Sequence, residues 1–491
     1  MSVSTYPISA DAARHIERPV FGHVIDGEVV ASLDGQTMPV IDPATGDEVG
    51  VAALGSAADV DRAVASARAA FDDGRWRYLA PLEKERRMRR MSALLAERAT
   101  LFAESDTIDS GLLRWYTDAM VEFALNSIDY FSGWPSKIEG SIPPVPSDLV
   151  AYHVREPHGV LGLIVPWNGP SAVFAFVAAA LAAGNSVVLK PAEQTPMTAV
   201  LMAELAHEAG IPTGVFNVVQ GRGEAGAALV EHRGVDAVSF TGSRATGSAI
   251  QSAAAQRVKP VALELGGKSP FIVFPDADLD AATSAAMLGV WMASGQVCTA
   301  GTRVLLHDSI HDEVVERILA GSRDMVIGSG FDPATQLGPL VSAAQRQTSE
   351  KFIAEAKSQG RNIVAGGNRP LVKGFYLEPT ILLDVEPNDR VWCEEVFGPV
   401  VSIRPFSDES QMLQEVNASP YGLSGSIWTN NLQRALRVAR AVESGVLSIN
   451  SHSSVHVEAP FGGFKQSGIG RDLGMNALEG YTELKNVYIA S

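Results

Sequence analysis

The chain has 491 residues, enough for roughly three domains at about 150 residues each and ample for a large buried core. Apolar residues make up 46% and charged residues 19%, ordinary globular usage that excludes a wholly disordered chain. The formal charge of −17, from 39 basic and 56 acidic side chains, repels nucleic acid and acidic lipid and argues against both as partners.

The N-terminus has no basic stretch leading into an apolar one, so no secretory signal is expected and the first 20 residues read as a loose arm. Amphipathic periodicity predicts helices over 57–71 and 82–104. Short β-branched runs follow at 160–165, 186–189, 215–219 and 237–240, with helical stretches between them, such as 198–209. The longest apolar run, 172–183, is 12 residues, short of the roughly 20 that a membrane-spanning helix needs. A second alternation starts near residue 267, with strands at 271–273, 303–306, 400–403 and 425–428 and helices at 310–319 and 432–442. Strand and helix in turn at this spacing predict an α/β fold of two doubly wound units, dividing near Leu265-Gly266-Gly267. The Pro-, Gly- and Ser-rich segment 132–150 fits neither unit, and with the tail 486–489 it could supply edge strands for oligomerisation.

Two cysteines, Cys298 and Cys393, cannot make a disulfide framework or a cysteine zinc site, and they point to a reducing, cytoplasmic location. Gly221-Arg222-Gly223-Glu224-Ala225-Gly226 matches a dinucleotide fingerprint between a strand and a helix, but a tight turn explains these glycines equally well. Thr241-Gly242-Ser243 also leads from strand to helix, either as a phosphate cradle or as a helix cap. Lys190 and Glu193 close a strand where open α/β sheets bind ligands, and they suit ribose hydroxyls. Cys298 sits among small residues that let a substrate approach, as a nucleophile or as an inert buried thiol. Glu264, between leucines, is either a base raised by desolvation or a carboxylate paired with Lys268; taken alone, the ion pair is favoured. His307 and His311 could share a helix face but lack a third ligand, so no metal site is expected. No Gly-x-Ser-x-Gly elbow occurs.

Seven motifs in order give the chain a resemblance to the aldehyde dehydrogenase superfamily that runs from Val40 to Arg471. They are Val165-Pro166-Trp167-Asn168, Lys190-Pro191-Ala192-Glu193-Gln194-Thr195-Pro196, Phe240-Thr241-Gly242-Ser243 and Leu263-Glu264-Leu265-Gly266-Gly267-Lys268-Ser269-Pro270. Gly295-Gln296-Val297-Cys298, Glu394-Glu395-Val396-Phe397-Gly398-Pro399 and Pro460-Phe461-Gly462-Gly463-Phe464-Lys465-Gln466-Ser467-Gly468 complete the set. The resemblance implies a catalytic group of Cys298 as nucleophile, Glu264 as base for a hydrolytic water and Asn168 at the oxyanion, with Lys190 nearby. It implies NAD, rather than NADP, held by Lys190, Glu193, Glu395 and Phe397, with Trp167, Thr241, Gly242, Ser243, Gly223 and Leu265 around it. The implied organisation is a NAD-binding domain over 1–132 and 155–266, a catalytic domain over 267–470, and an oligomerisation element over 133–154 and 471–491 that builds a homodimer or homotetramer.

By register, the substrate funnel includes Gly169, Phe176, Val297, Thr299, Val455 and Phe461. Gly169 and Val455 stand where relatives often carry aromatic residues, so the expected substrate is a hydrophobic aldehyde: aromatic, terpenoid or medium-chain aliphatic. A semialdehyde or betaine aldehyde is the alternative, and a fold that has retired from catalysis is a third reading, opposed by the intact Cys298, Glu264, Asn168 and Lys190.

Overall fold

The computed structural model describes residues 6–490 and is built around two parallel-centred sheets covered by helices. Five strands form the parallel centre of the first sheet, in the order Phe216–Val218, Ser186–Lys190, Val160–Ile164, Ala237–Gly242 and Val261–Leu265. Antiparallel strands His23–Ile25 and Gly468–Ile469 flank it, and Glu28–Val30 adds an outer edge. The runs VLGLI and SVVLK are buried along their whole length, which is why they read as continuous apolar stretches rather than as alternation. From the central strand Val160–Ile164 the chain first builds outward to one side, then returns to place Ala237–Gly242 on the other. That reversal opens a crevice at the carboxyl ends of the two strands, where Ile164 faces Phe240 across the ladder.

The second sheet runs Asn362–Ala365, Thr380–Leu383, Val400–Phe406, Arg303–His307, Pro270–Val273, Ser424–Trp428 and Val446–Ile449, parallel except for its first strand. Leu149–Pro157 and Thr482–Ala490 form a separate antiparallel ribbon, from Thr482 opposite Pro157 to Ala490 opposite Leu149. Among the described residues no helix is long and apolar enough to cross a membrane.

Three expectations need correction. The loose N-terminal arm contains a helix, Ala10–Ile16, with Ala12, His15 and Ile16 buried; residues 1–5 of the arm lie outside the described residues. Its Ser9 cap accepts the Ala12 N–H, and Glu104 accepts from both the Ser9 N–H and hydroxyl at 2.9 and 2.6 Å, so the arm is anchored by polar contacts. The single helix over 82–104 is two, Pro81–Glu97 and Ala99–Ser110, broken at Arg98 (φ −113°, ψ 13°). The first buries one stripe; the second is buried from Phe102 to Ser110, so one straight axis could not serve both environments. His307 ends a strand and His311 opens the helix His311–Arg323, so the two do not share a helix face.

Candidate active site

Two adjoining cavities, of about 290 and 550 Å³, meet at Pro166, Trp167, Thr241 and Gly242, the carboxyl ends of the two switch-point strands. The smaller one holds Cys298, Glu264 and Asn168 together, with Leu265, Glu395 and Phe397 around them. Ser243 and Phe461 also line it. The larger one is bordered by Lys190, Glu193 and Gly223. Every residue expected in catalysis or cofactor binding therefore borders one continuous cleft.

Each position has a local cause. Cys298 follows the helix Leu279–Trp291 and a tight turn in which Ala293, Ser294 and Gly295 all have positive φ. Only glycine fits at 295, where an added Cβ would lie 2.1 Å from the Gly398 carbonyl oxygen. Buried Gln296 braces this turn: its amide donates to the Ala293 carbonyl at 2.8 Å, and its oxygen accepts the Val341 N–H at 2.9 Å. Ser294 donates to the Gly338 carbonyl at 2.7 Å and ties the same turn to a second segment. The Asn168 amide donates to the Gln296 carbonyl at 2.9 Å, which aims it at the cysteine turn. The Asn168 loop is itself held from below, because buried Asp106 accepts the Ser171 N–H at 3.0 Å and the Thr198 hydroxyl at 2.5 Å. Removing that carboxylate would strand buried donors, at about 1–3 kcal/mol each.

Glu264 lies near the end of its strand, opposite Thr241 on one side and Gly468 on the other. It is 5% exposed and neither carboxylate oxygen has a hydrogen-bond partner. The ion pair with Lys268 favoured from sequence is absent; burial, and then the neighbouring charge of Asp472, raise the Glu264 carboxyl well above its usual range. Burial also pushes the Cys298 thiol up to about 12, with Glu395 and Glu264 adding to the rise. Glu395 accepts the Gly267 N–H at 3.2 Å, and burial pushes it up to about 7.

In the larger cavity the Lys190 ammonium stands 3.5 Å from the Glu193 carboxylate, and burial lowers its affinity for its proton. The glycine fingerprint divides its labour: Gly221, with φ +146° and Ala225 Cβ 2.9 Å from its would-be Cβ, makes the turn, while Gly223 has open space and faces the cavity. Ser243 both lines the cleft and caps the helix Arg244–Ala255, accepting the Thr246 N–H at 3.3 Å.

The funnel candidates are less unified. Phe461 lines the catalytic cavity, whereas Gly169, Phe176, Val297, Thr299 and Val455 do not. Val297 packs with Leu112, Tyr116, Ala293, Met120 and Met292, and Gly169 approaches the same Met120, whose sulfur is 3.6 Å from a would-be Cβ. The Thr299 hydroxyl turns to Ser453 at 2.8 Å. One residue with no motif to announce it matters here. Gln345, on the helix Ala343–Ser358, donates its amide to the Phe397 carbonyl at 2.8 Å and the Val396 carbonyl at 3.2 Å. It thereby clamps the loop in which Phe397 (φ +56°) meets the Trp167 ring edge-on at 5.3 Å.

Residues 30–487 match the Aldehyde dehydrogenase family. The chain is 41% identical over 468 residues to the Bacillus subtilis (strain 168) protein named aldehyde dehydrogenase DhaS, covering 95% of this chain and 94% of that one. It is 42% identical over 478 residues to a betaine aldehyde dehydrogenase of Rhizobium leguminosarum bv. trifolii (strain WSM2304), covering 96% and 98%. A NAD+ complex of an aldehyde dehydrogenase from Bacillus cereus superposes with a TM-score of 0.97 at 38% identity, over 99% of both chains. The chain belongs to the aldehyde dehydrogenase family.

Proposed function

We propose that this enzyme oxidises a hydrophobic aldehyde to the free carboxylic acid with NAD, through a thioester on Cys298. The observation that carries the reading is the convergence of Cys298, Asn168 and an unpartnered, buried Glu264 on one cavity that opens into the Lys190–Glu193 cleft. That cleft fits a dinucleotide. The helices Gly223–Glu231 and Arg244–Ala255 face each other across it with small or aliphatic side chains at Gly226, Ala227, Ala249 and Ile250, a slot for a flat base. Lys190 and Glu193 stand where ribose hydroxyls would be held, and the Glu193 carboxylate repels a 2′-phosphate, which favours NAD over NADP. Glu395 would hold the second ribose, and NAD when bound supplies the hydride acceptor.

The chain's own residues do the rest. The Cys298 sulfur, as thiolate, attacks the aldehyde carbon. An amide carries two N–H groups; Asn168 spends one on the Gln296 carbonyl and keeps one for the developing oxyanion, beside the Cys298 N–H. Once the substrate carbon has been oxidised, Glu264 takes a proton from the water that attacks the thioester carbonyl, and the Cys298–acyl bond breaks to release acid and thiol. The sheet containing Lys190 and Thr241 is assigned to NAD binding and the sheet beyond Gly267 to the catalytic unit.

Gly266 permits this layout. A Cβ there would lie 1.8 Å from the Glu395 carboxylate, so Gly266→Ala is expected to displace Glu395 and raise the KM for NAD at least about tenfold. Steady-state kinetics check it, with thermal unfolding showing whether the fold is intact.

The preference for a hydrophobic substrate rests on Gly169 and Val455, which stand where relatives often carry aromatic residues, although Phe461 is the one funnel candidate that borders the catalytic cavity itself. A trimethylammonium group wants a cage of aromatic faces; of the six funnel candidates Phe461 alone is an aromatic that lines the catalytic cavity, and the cavity's other aromatic rings, Trp167 and Phe397, pack edge-on against each other. Betaine aldehyde is kept as a second reading because relatives such as the Rhizobium enzyme carry that name. The test is NADH formation with octanal, a benzaldehyde, a terpenoid aldehyde, acetaldehyde, betaine aldehyde and succinic semialdehyde. Octanal or the ring aldehydes are expected to lead in kcat/KM; a lead by betaine aldehyde or the semialdehyde overturns the hydrophobic reading. In the same panel Gly169→Phe, which must share space with Met120, is expected to cost bulky aldehydes about tenfold while sparing acetaldehyde.

The ribbon of Leu149–Pro157 and Thr482–Ala490 exposes Tyr152, Leu484, Tyr488 and Ile489; Ser141 bridges to His153 on one outer edge, and the outer edge of Thr482–Ala490 pairs with no strand among the described residues, so the ribbon is assigned to a homodimer or homotetramer contact. Sedimentation velocity should show two or four chains; a monomer at micromolar concentration removes that assignment.

A further inference from the structure

We propose that a separate cavity, walled by the helices Ala10–Ile16, Ala99–Ser110 and Met197–Glu208, binds an apolar monocarboxylate. Its volume is about 300 Å³, room for a medium-chain or single-ring body. In a chain of net charge −17 its walls carry three arginines, Arg14, Arg18 and Arg98, against the carboxylates Asp11 and Glu204, with Glu208 outside the wall as the partner of Arg98, so the rim is locally neutral. The remaining wall is apolar and supplied by Leu101, Phe102 and Leu201.

The arginines differ in freedom. Arg18 is spoken for, donating through both terminal nitrogens to the two oxygens of Glu204 at 2.7 and 2.9 Å. Arg14 pairs with Asp11 one turn away, with side-chain exposures of 71% and 62%, and Arg98 pairs with Glu208 at 2.7 Å. Solvent-exposed pairs of this kind are weak, so two guanidinium groups can exchange partners for an incoming carboxylate, which they match with two parallel hydrogen bonds.

His15 sets the orientation. Its Nε2 contacts the Met197 carbonyl oxygen at 3.2 Å, and a carbonyl only accepts, so Nε2 carries the proton and Nδ1 presents a lone pair without a partner. Burial holds the imidazole down to about 3, so it stays neutral at physiological pH. Nδ1 is sealed from solvent, so the His15 wall offers the cavity neither a donor nor a cation. The carboxylate stays at the arginine rim and the apolar body goes in against Leu101, Phe102 and Leu201.

The cavity is also linked to the catalytic loop. The Phe102 ring lies 5.8 Å from Phe174, and one turn further along the same helix face Asp106 holds the Ser171 N–H, three residues from Asn168. If the proposed function holds, the enzyme's own product belongs to the ligand class, and occupancy would be felt in turnover.

The test is calorimetric titration of octanoate into the Cys298→Ala enzyme, compared with 1-octanol, acetate and inorganic phosphate, and repeated in Arg14→Glu and Arg98→Glu backgrounds. Octanoate is expected to bind, with the other three probes at least tenfold weaker and each arginine reversal costing at least tenfold. Arg14 is exposed enough for its reversal to leave the fold intact, which thermal unfolding confirms. Equal octanoate binding in both reversed variants, or octanol, acetate or phosphate binding as well as octanoate, overturns the proposal. Heat is read without turnover, so a failure of the hydrophobic-substrate reading in the aldehyde panel leaves this result independent.

Discussion

Cys298→Ala is expected to lower NADH formation from every aldehyde by at least about a thousandfold while NAD still binds. The alanine removes the atom that becomes bonded to the substrate carbon and leaves the braces of the turn, Gln296 and Ser294, in place. The state of the thiol gives the same prediction a pH axis. With the thiol pushed up to about 12, the thiolate fraction grows tenfold with each pH unit below that value. Inactivation of the free enzyme by iodoacetamide should therefore accelerate about tenfold per unit from pH 7 to pH 10, with no plateau. A plateau near pH 8.5, where an unperturbed cysteine levels off, would show that Glu395, Glu264 and burial do not hold the proton on sulfur. Residual turnover in the alanine variant comparable to wild type would remove Cys298 from the mechanism altogether.

The α/β alternation was legible in the chain because its strands left a local mark, whereas the residues of the main cleft came from the seven-motif resemblance, since Cys298 and Glu264 taken alone each allow an inert reading. Buried parallel strands such as VLGLI and SVVLK cannot alternate, and so they stand out as apolar runs. Gly266 and Gly295 are required by contacts with Glu395 and Gly398 that no other side chain would allow. What the sequence concealed has a different origin. Gln345 acts through a side-chain amide reaching two backbone carbonyls some fifty residues away, and an isolated glutamine on a helix carries no mark of such a use. The break at Arg98 is decided by the surroundings of the two helices, since alanine-rich periodicity runs through it without interruption. The choice for Glu264 between a salt bridge and an unpartnered carboxyl depends on where Lys268 goes. Lys268 is itself buried, its ammonium lowered to about 7, and forms no ion pair with Glu264. The funnel residues were the least legible, because their distance from Cys298 depends on how loops around Thr299–Ser453 and Gly169–Met120 close.

Glu264→Gln separates the two halves of the reaction. The amide keeps the size of the carboxyl but cannot take a proton from water, so hydrolysis of the thioester should slow by about 10²–10⁴-fold. Formation of that thioester does not use Glu264. Rapid mixing of the variant with octanal and NAD is accordingly expected to give a burst of one NADH per active site, followed by near silence, with the acyl group recoverable on Cys298. The pH dependence of the wild-type enzyme has the matching sign. Glu264 must be ionised to act, and burial with Asp472 nearby raises its pKa, so its protonated, inactive form persists to higher pH than an ordinary glutamate allows. Turnover should then rise with pH through that raised value and fall away below it, and in Glu264→Gln the rise should vanish along with most of the rate. A variant that turns over without a burst and keeps the wild-type pH profile would mean that another group activates the water, and Asp472, buried beside Glu264 and itself pushed up to about 7, is the first to replace next.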